Sequence, residues 1–140
     1  MKQSGQRVIL AATVLASAAG VLAEEAWVRM AASPEVQVFV DVSSLTRDAH
    51  GLRSVWTKTR YASEQADVGV RYTADMTLFV LDCAGARYGI AGGRFLDASG
   101  NVLRQFTGPT GELQPIRVAT KADAVAKAVC AVDVNIQRGK

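Results

Sequence analysis

The chain contains two cysteines, Cys83 and Cys130, and whether they pair constrains the fold more than any other feature of the sequence. A bond between them would close a loop of about 48 residues, which chain-entropy arithmetic converts to about 4 kcal/mol of stabilisation. Domains of this size have a net stability of about 5–15 kcal/mol, so the bond would supply a large part of the stability. Thiols pair in oxidising compartments and stay reduced in the cytosol, so the question turns on where the chain matures.

The N-terminal segment has the order of regions typical of an export signal. Lys2 and Arg7 make a basic start, residues 8–19 are uncharged and mostly apolar, and small side chains precede a cut after Ala23. A membrane anchor needs about 20 predominantly apolar residues, and this stretch is shorter and diluted with small polar ones. We therefore expect residues 1–23 to be a cleaved signal peptide and residues 24–140 to form one exported domain, with no transmembrane segment after cleavage.

Charge argues against a nucleic-acid-binding protein. The net charge of +3 includes Lys2 and Arg7, which leave with the signal while every acidic residue remains. The mature chain is then close to neutral, whereas nucleic-acid-binding proteins usually carry a concentrated basic patch. We expect no nucleic-acid partner.

Export favours a structural disulfide between Cys83 and Cys130. A metal site needs about four ligands at short spacing, so no metal or cofactor is predicted. A catalytic thiol needs a nearby base or positive field, and His50, the one histidine, lies in a turn-like stretch. A redox or catalytic role for the cysteines remains the alternative.

Residues 70–83 have the most informative strand pattern. Apolar side chains alternate with polar ones, which predicts one face in the core and the other in water. The predicted core face holds Val70, Tyr72, Ala74, Met76, Leu78 and Val80, and the predicted water face holds Arg71, Thr73, Asp75 and Thr77. From Leu78 to Leu81 both faces are apolar, so we expect another element to cover Phe79, Leu81 and Cys83.

Strand composition also predicts strands at residues 27–30, 36–40, 51–61, 87–95 and 102–106, with a polar loop at 62–69 and a hairpin turn at 97–101. Trp27 and Trp56 are predicted in the core. Near the C-terminus the period becomes helical: Thr120 is a good N-cap, and an apolar stripe that includes Val125, Val129 and Cys130 follows. A bond from Cys130 to Cys83 would clamp this helix across the end of the fourth strand.

A series of short motifs occurs in a recognisable order. The motifs are Asp-x-x-Ser-Leu at 41–45, Val55-Trp56, Asp82-Cys83, Asp-x-x-Gly at 97–100, and Pro115-Ile116 before the helix. In this order the chain resembles the surface-adhesin protein E-like family of exported proteobacterial proteins. The resemblance implies an α+β fold, in which an antiparallel sheet of about six strands packs with a C-terminal helix and Cys83 is joined to Cys130.

The resemblance also implies adhesion to host matrix proteins at the bacterial surface. The adhesin of that name is a lipoprotein, whereas this chain has no cysteine near the expected cut. The predicted location is therefore the periplasm or the medium, with the cell surface as a third possibility.

Other residues that could carry chemistry have simpler structural interpretations. Asp75 and Asp82 are better explained as a solvent-facing acid and a turn former than as paired catalytic carboxylates. The glycines between residues 85 and 93 match no nucleotide motif and predict a bulge or bend in a strand. Arg87, Arg94 and Arg104 form either a small basic patch or part of a solvated, mixed-charge surface.

The sequence therefore predicts a non-catalytic binding module with a protein partner, either a host matrix protein or another protein of the bacterial envelope. In the second case the chain would be a periplasmic structural or envelope-stress protein. No catalytic residue is predicted, and the sequence names neither the binding face, the ligand nor the oligomeric state.

Overall fold

A computed structural model describes residues 26–108 and 111–132. In these ranges the strands are β1 (Trp27–Ala32), β2 (Val36–Asp41), β3 (Thr46–Arg47), β4 (Arg53–Gln65), β5 (Tyr72–Asp82), β6 (Arg87–Leu96), β7 (Val102–Thr107) and β8 (Gln114–Pro115). A short 3₁₀ helix, Val42–Ser44, follows β2, and the α-helix α1 spans Lys121–Cys130. The predicted signal peptide, residues 1–23, lies outside the described residues.

All the strands belong to one antiparallel sheet, with the order β1-β2-β4-β5-β6-β7. The two-residue strands β3 and β8 pair with β4 and β6 respectively. The prediction of an antiparallel sheet of about six strands with a C-terminal helix is confirmed. None of the helices in the described ranges is long and apolar enough to cross a membrane.

Register shifts occur in four of the strand pairs, and two of them bear on the sequence predictions. Between β5 and β6, Phe79 pairs with Ile90 while Leu78 pairs with Gly92, so Ala91 is the extra residue of a bulge in the glycine-rich strand. Between β4 and β5 the pairing passes from Arg60 to Gln65 across a second irregularity. The predicted loop at 62–69 is therefore wrong in its first half, because β4 continues to Gln65, which pairs with Tyr72. The residues of β4 just before Gln65 are exposed, which explains their polar composition.

The hydrophobic core lies between α1 and one face of the sheet. The buried side chains of this core are Val40, Leu45, Val55, Phe79, Leu81, Ala122, Val125 and Val129. The helix supplies the last three of them, so it is the element that covers Phe79 and Leu81, as predicted.

The helix is tied to the sheet at its C-terminal end. The Sγ atoms of Cys83 and Cys130 are 2.09 Å apart in a disulfide that links the end of β5 to the end of α1. The guanidinium of Arg53 donates hydrogen bonds to the carbonyl oxygens of Val129 (2.7 Å) and Val132 (2.6 Å). At the other end, the Thr120 hydroxyl accepts a hydrogen bond from the backbone N–H of Asp123, so Thr120 is the N-cap, as predicted.

The predicted core face of β5 is confirmed for Tyr72 and Ala74, which are 4% and 7% exposed, and is wrong from Asp75 onward. Asp75 and Thr77, expected in water, are 8% and 7% exposed and lie on the same side of the strand as Phe79. Met76, Leu78 and Val80, expected in the core, are half-buried on the side away from α1. Hydrophobic alternation separates two faces but does not say which one a helix will cover, and here polar partners compensate the burial of Asp75.

Candidate binding face

The face of the sheet opposite α1 carries lysine and arginine side chains together with aromatic rings. Along β4, Thr57 and Thr59 are 0% and 2% exposed, and Thr57 pairs directly with Val40 of the core under α1, so both lie on the helix side. Alternation therefore places Trp56 and Lys58 on the opposite side, and direct cross-strand pairing places Phe39, Met76 and Arg94 there too. We call this side, away from α1, the open face.

One line of residues crosses the open face at right angles to the strands. Direct pairs join Arg29 to Phe39, Phe39 to Lys58, Lys58 to Met76, and Met76 to Arg94. This set of five residues, called the central row, alternates cation and apolar side chain across β1, β2, β4, β5 and β6.

Cations on this face lie over aromatic rings. The Nζ of Lys58 is 5.9 Å from the ring centroid of Trp27, and the guanidinium carbon of Arg94 is 5.3 Å from that of Trp56. The guanidinium carbon of Arg60, which follows Lys58 on the same side of β4, is 5.6 Å from the ring centroid of Phe39. Such contacts contribute about 0.5–1 kcal/mol at exposed sites and hold the long side chains against the sheet.

The prediction that Trp27 and Trp56 lie in the core is wrong. Both are half-buried, because they belong to the side of the sheet that α1 does not cover. Their rings are instead shielded in part by the lysine and arginine side chains above them. Aromatic side chains in this position are typical of binding surfaces.

Two carboxylates close to the open face accept hydrogen bonds from nearby backbone N–H groups. Asp41, 6% exposed, accepts hydrogen bonds from the backbone N–H groups of Ala26 and Ser43 and from the Ser43 hydroxyl. Asp97 accepts from the backbone N–H groups of Ser99 and Asn101, and hydrogen bonding from Asn101 is the main cause that lowers its pKa. Neither is directly paired with a cation of the central row, so the row has a positive character.

A depression of about 620 Å³ lies at one end of the open face. It lies between the side chains of Lys58 and Arg60 and the turn of residues 97–100. The cations of the open face therefore border a concave site as well as the flat surface of the sheet.

The helix side of the sheet holds a separate ionic cluster. The carboxylate of Asp75 is 3.5 Å from the Lys121 Nζ and accepts hydrogen bonds from the hydroxyls of Tyr61 (2.6 Å) and Thr77 (3.3 Å). Burial lowers the pKa of Lys121, an effect that Asp75 opposes, and burial together with the hydrogen bond to Asp75 raises the pKa of Tyr61. The cluster joins β4, β5 and α1, so we assign it to the packing of the helix.

The three arginines considered as a basic patch are not together. The Arg87 guanidinium donates to the carbonyl oxygen of Leu113 (2.6 Å) and that of Arg104 donates to the carbonyl oxygen of Val68 (2.5 Å). Arg94 belongs to the central row, whereas Arg87 lies near the other end of β6, paired with Asp82, and Arg104 lies on β7, paired with Phe95. The interpretation of these arginines as one patch is therefore wrong, and Arg29, Lys58 and Arg60, which form the positive surface with Arg94, were missed.

His50 lies exposed in the turn that follows β3, as predicted, and its backbone N–H donates to the Asp48 carboxylate (2.8 Å). Within residues 26–108 and 111–132, no group of three or more histidine, cysteine, aspartate or glutamate side chains is arranged to hold a metal ion.

Comparison with protein families matches the chain to an adhesin family. The model of the family described as surface-adhesin protein E matches residues 27–131, from the start of β1 to the residue after α1. No curated protein and no solved structure matches the chain. The matched residues include the disulfide, the helix and the whole central row.

Proposed function

The chain belongs to the surface-adhesin protein E family, and from this we propose that it is an exported, non-catalytic binding module that attaches to host or matrix proteins through its open face. Family membership supports a binding role of the adhesin type and indicates no catalytic family. The observation that assigns binding to the open face is the central row, in which cations and apolar side chains alternate across five strands.

Charge and aromatic content both favour this face as an interface. Arginine and tryptophan are enriched among the residues that dominate binding energy at protein interfaces. Here the Arg94 guanidinium lies over the Trp56 ring, and both side chains are half-buried before any partner binds. Side chains that are already ordered lose less conformational entropy on binding, which favours affinity.

The scaffold behind the face supports the same role. The disulfide and the ionic cluster of Asp75 both act on the opposite side, where they hold α1 to the sheet. The helix is thus kept away from the open face, which leaves that face accessible to a large partner.

Export is part of the proposal. The order of regions in residues 1–23 favours a cleaved signal peptide, and a disulfide is typical of proteins that mature outside the cytosol. We propose the bacterial surface or the medium as the place where the domain meets its partner.

The second candidate function is that of a periplasmic structural or envelope-stress protein that binds another bacterial protein. The disulfide favours it equally, because the periplasm is also an oxidising compartment. The two candidates differ in the partner and the location rather than in the binding face.

Binding to purified matrix proteins tests the proposal. The full chain, with its disulfide formed, is applied to immobilised matrix proteins beside the double variant Lys58→Gln/Arg94→Gln. The matched control is Arg47→Gln/Arg71→Gln, which removes the same charge from exposed positions outside the central row. We expect binding by the wild type and the control, and loss in the Lys58/Arg94 variant.

Equal losses in both double variants would contradict the choice of face. Absence of binding to every matrix protein, together with fractionation that confines the chain to the periplasm, would replace adhesion with the second candidate. Thermal melting of each variant confirms that the fold is retained.

A further inference from the structure

The three cations of the central row are evenly spaced across the sheet. Arg29 is on β1, Lys58 on β4 and Arg94 on β6, and one strand lies between each consecutive pair: β2, which carries Phe39, and β5, which carries Met76. Neighbouring strands are about 4.8 Å apart, so the backbone positions of the cations repeat at about 9.6 Å. A linear ligand that crosses the strands would pass a cationic residue at each such step, with the Lys58 and Arg94 side chains leaning toward the rings of Trp27 and Trp56.

This repeat distinguishes between the conformations that a peptide ligand could adopt. In a polyproline II helix, with three residues per turn and a rise of about 3.1 Å, every third side chain returns to the same side after about 9.3 Å. In a β-strand the same side recurs after two residues, or about 6.8 Å. On an α-helix the neighbours on one face are about 5–6 Å apart, and the same face recurs after seven residues, or about 10.5 Å. The polyproline II repeat matches the row within a few tenths of an ångström per step.

Backbone hydrogen bonding favours the same conformation. The strands β2, β4, β5 and β6 are paired on both sides, so the middle of the open face offers a ligand side chains rather than free backbone groups. A peptide added as a strand needs an unpaired sheet edge for its own backbone. A polyproline II helix has a fully solvated backbone and needs no such partner.

The apolar members of the row fit the positions between charges. Phe39 and Met76 alternate with the cations, and the rings of Trp27 and Trp56 lie beside them. Proline-rich segments in the polyproline II conformation dock on surfaces lined by aromatic side chains. The alternation of charge and apolar surface therefore corresponds to a ligand that alternates carboxylates with proline or other apolar residues.

From these observations we infer that the open face binds an acidic, polyproline II segment of its partner protein, with a carboxylate at every third residue facing Arg29, Lys58 and Arg94. The inference rests on the proposed function, because it assumes that the partner is a protein and that this face contacts it. It adds the chemistry and the repeat of the segment that is bound.

Synthetic peptides test the repeat directly. The probe is a fluorescein-labelled peptide of Glu-Pro-Pro repeats that spans the row, and the control has the same composition with its glutamates grouped in adjacent pairs. A Lys-Pro-Pro peptide tests the sign of the charge, and heparin tests whether an acidic polysaccharide is the better ligand. Fluorescence anisotropy with the full, disulfide-bonded chain gives the affinities.

We expect the Glu-Pro-Pro peptide to bind about three- to five-fold more tightly than the grouped control, the range of a single exposed ion pair. Each of Arg29→Gln, Lys58→Gln and Arg94→Gln should weaken that peptide by a similar factor, and Arg71→Gln should leave it unchanged. Added salt should reduce the preference, because exposed charge pairs are screened.

Equal binding of the two acidic peptides, or no binding of either, would overturn the inference. Binding of heparin that is lost in the row variants, without a preference among the peptides, would instead identify a polysaccharide ligand. If the Lys58→Gln/Arg94→Gln variant fails to bind matrix proteins while the peptides show no preference, the inference falls and the proposed function stands. If that variant binds matrix proteins as the wild type does, the choice of the open face falls as well.

Discussion

Cys83 lies immediately after the last residue of β5, and its disulfide to Cys130 holds the last residue of α1 with the two Cα atoms 5.7 Å apart. The bond spans a sequence separation of 47 residues, which includes β6, β7, β8 and the helix. Isolated helices shorter than about 12–15 residues are marginal in water, and α1 has ten residues. The helix therefore depends on its attachment to the sheet, and the disulfide restricts how far it can move away.

Removal of the disulfide should destabilise the domain strongly. We expect Cys83→Ser to lower the free energy of unfolding by about 2–5 kcal/mol, because the unfolded chain regains the freedom of the closed loop. The measurement is chemical denaturation at neutral pH. The double variant Cys83→Ser/Cys130→Ser is the control for the free thiol and should show the same loss.

Reductant provides the complementary measurement. The wild type should lose stability on reduction, whereas the double variant should not respond. A wild-type melting temperature that is unchanged by full reduction, verified by thiol titration, would contradict the role given to the bond.

In the ionic cluster on the helix side, replacing Asp75 should lower the free energy of unfolding more than replacing Lys121. Asp75→Asn leaves the partly buried Lys121 ammonium, 3.5 Å from the Asp75 carboxylate, without its negative partner, and we expect a loss of about 1–3 kcal/mol. Lys121→Met should cost less, because Asp75 keeps the hydroxyl donors of Tyr61 and Thr77.

A double-mutant cycle in urea measures the coupling between the two side chains. The combined variant should lose less stability than the sum of the single variants. Strict additivity would show that the pair does not act as a unit, and a larger loss from Lys121→Met than from Asp75→Asn would contradict the predicted order of the two losses.

Tyr72 makes the stability depend on alkaline pH. Burial, aided by the hydrogen bond from its hydroxyl to Asp67 (2.6 Å), raises the pKa of Tyr72 to about 12 from an ordinary value of 10.0. The folded state then binds more protons than the unfolded state between these two values, so this contribution to stability is complete below pH 10 and is lost as the pH rises toward 12. The lowered pKa of Lys121 acts with the opposite sign, so the contribution of Tyr72 is seen as a difference between variants.

The corresponding variant is Tyr72→Phe. Its stability at pH 7 should be lower, because the hydrogen bond to Asp67 is gone, but the decline between pH 9 and pH 11 should be shallower than in the wild type. Denaturation midpoints across this range give the slopes. Parallel slopes for the two proteins would rule out this role for Tyr72.

The features predicted correctly from the sequence depend on local residues. Thr120 caps the helix that follows it, the turn at 97–101 forms around Asp97, and the glycines of β6 accompany the bulge at Ala91. In each case the residues that determine the structure are a few positions apart. The disulfide was predicted from export and the cysteine count, and it needed no knowledge of the register.

The open face depends on register, which sequence patterns do not supply. The central row draws one residue from each of five strands, and a shift of one position in any strand would turn that residue to the other side. Asp75 illustrates the same limit: its partners Tyr61 and Lys121 come from β4 and α1, so an acidic residue in an alternating strand was assigned to water. Trp56 was assigned to the core because it is large and apolar, although its neighbour Val55 is the one that faces the helix.

The last prediction concerns the edge of the sheet, where Gly93 of β6 pairs with Phe106 of β7. A Cβ atom at Gly93 would lie 2.6 Å from the carbonyl oxygen of Met76 and 2.5 Å from the Phe106 Cζ, so Gly93→Ala requires both the backbone and the ring to shift. Overpacking of this kind costs about 1–3 kcal/mol. Because the ring of Phe106 also packs against that of Phe95, with centroids 5.5 Å apart, β7 should loosen first, with faster amide hydrogen exchange there than in β4. Gly111→Ala is the matched control, since nothing lies within 4 Å of its added Cβ, and equal stability of the two variants would show that Gly93 is not required for close packing.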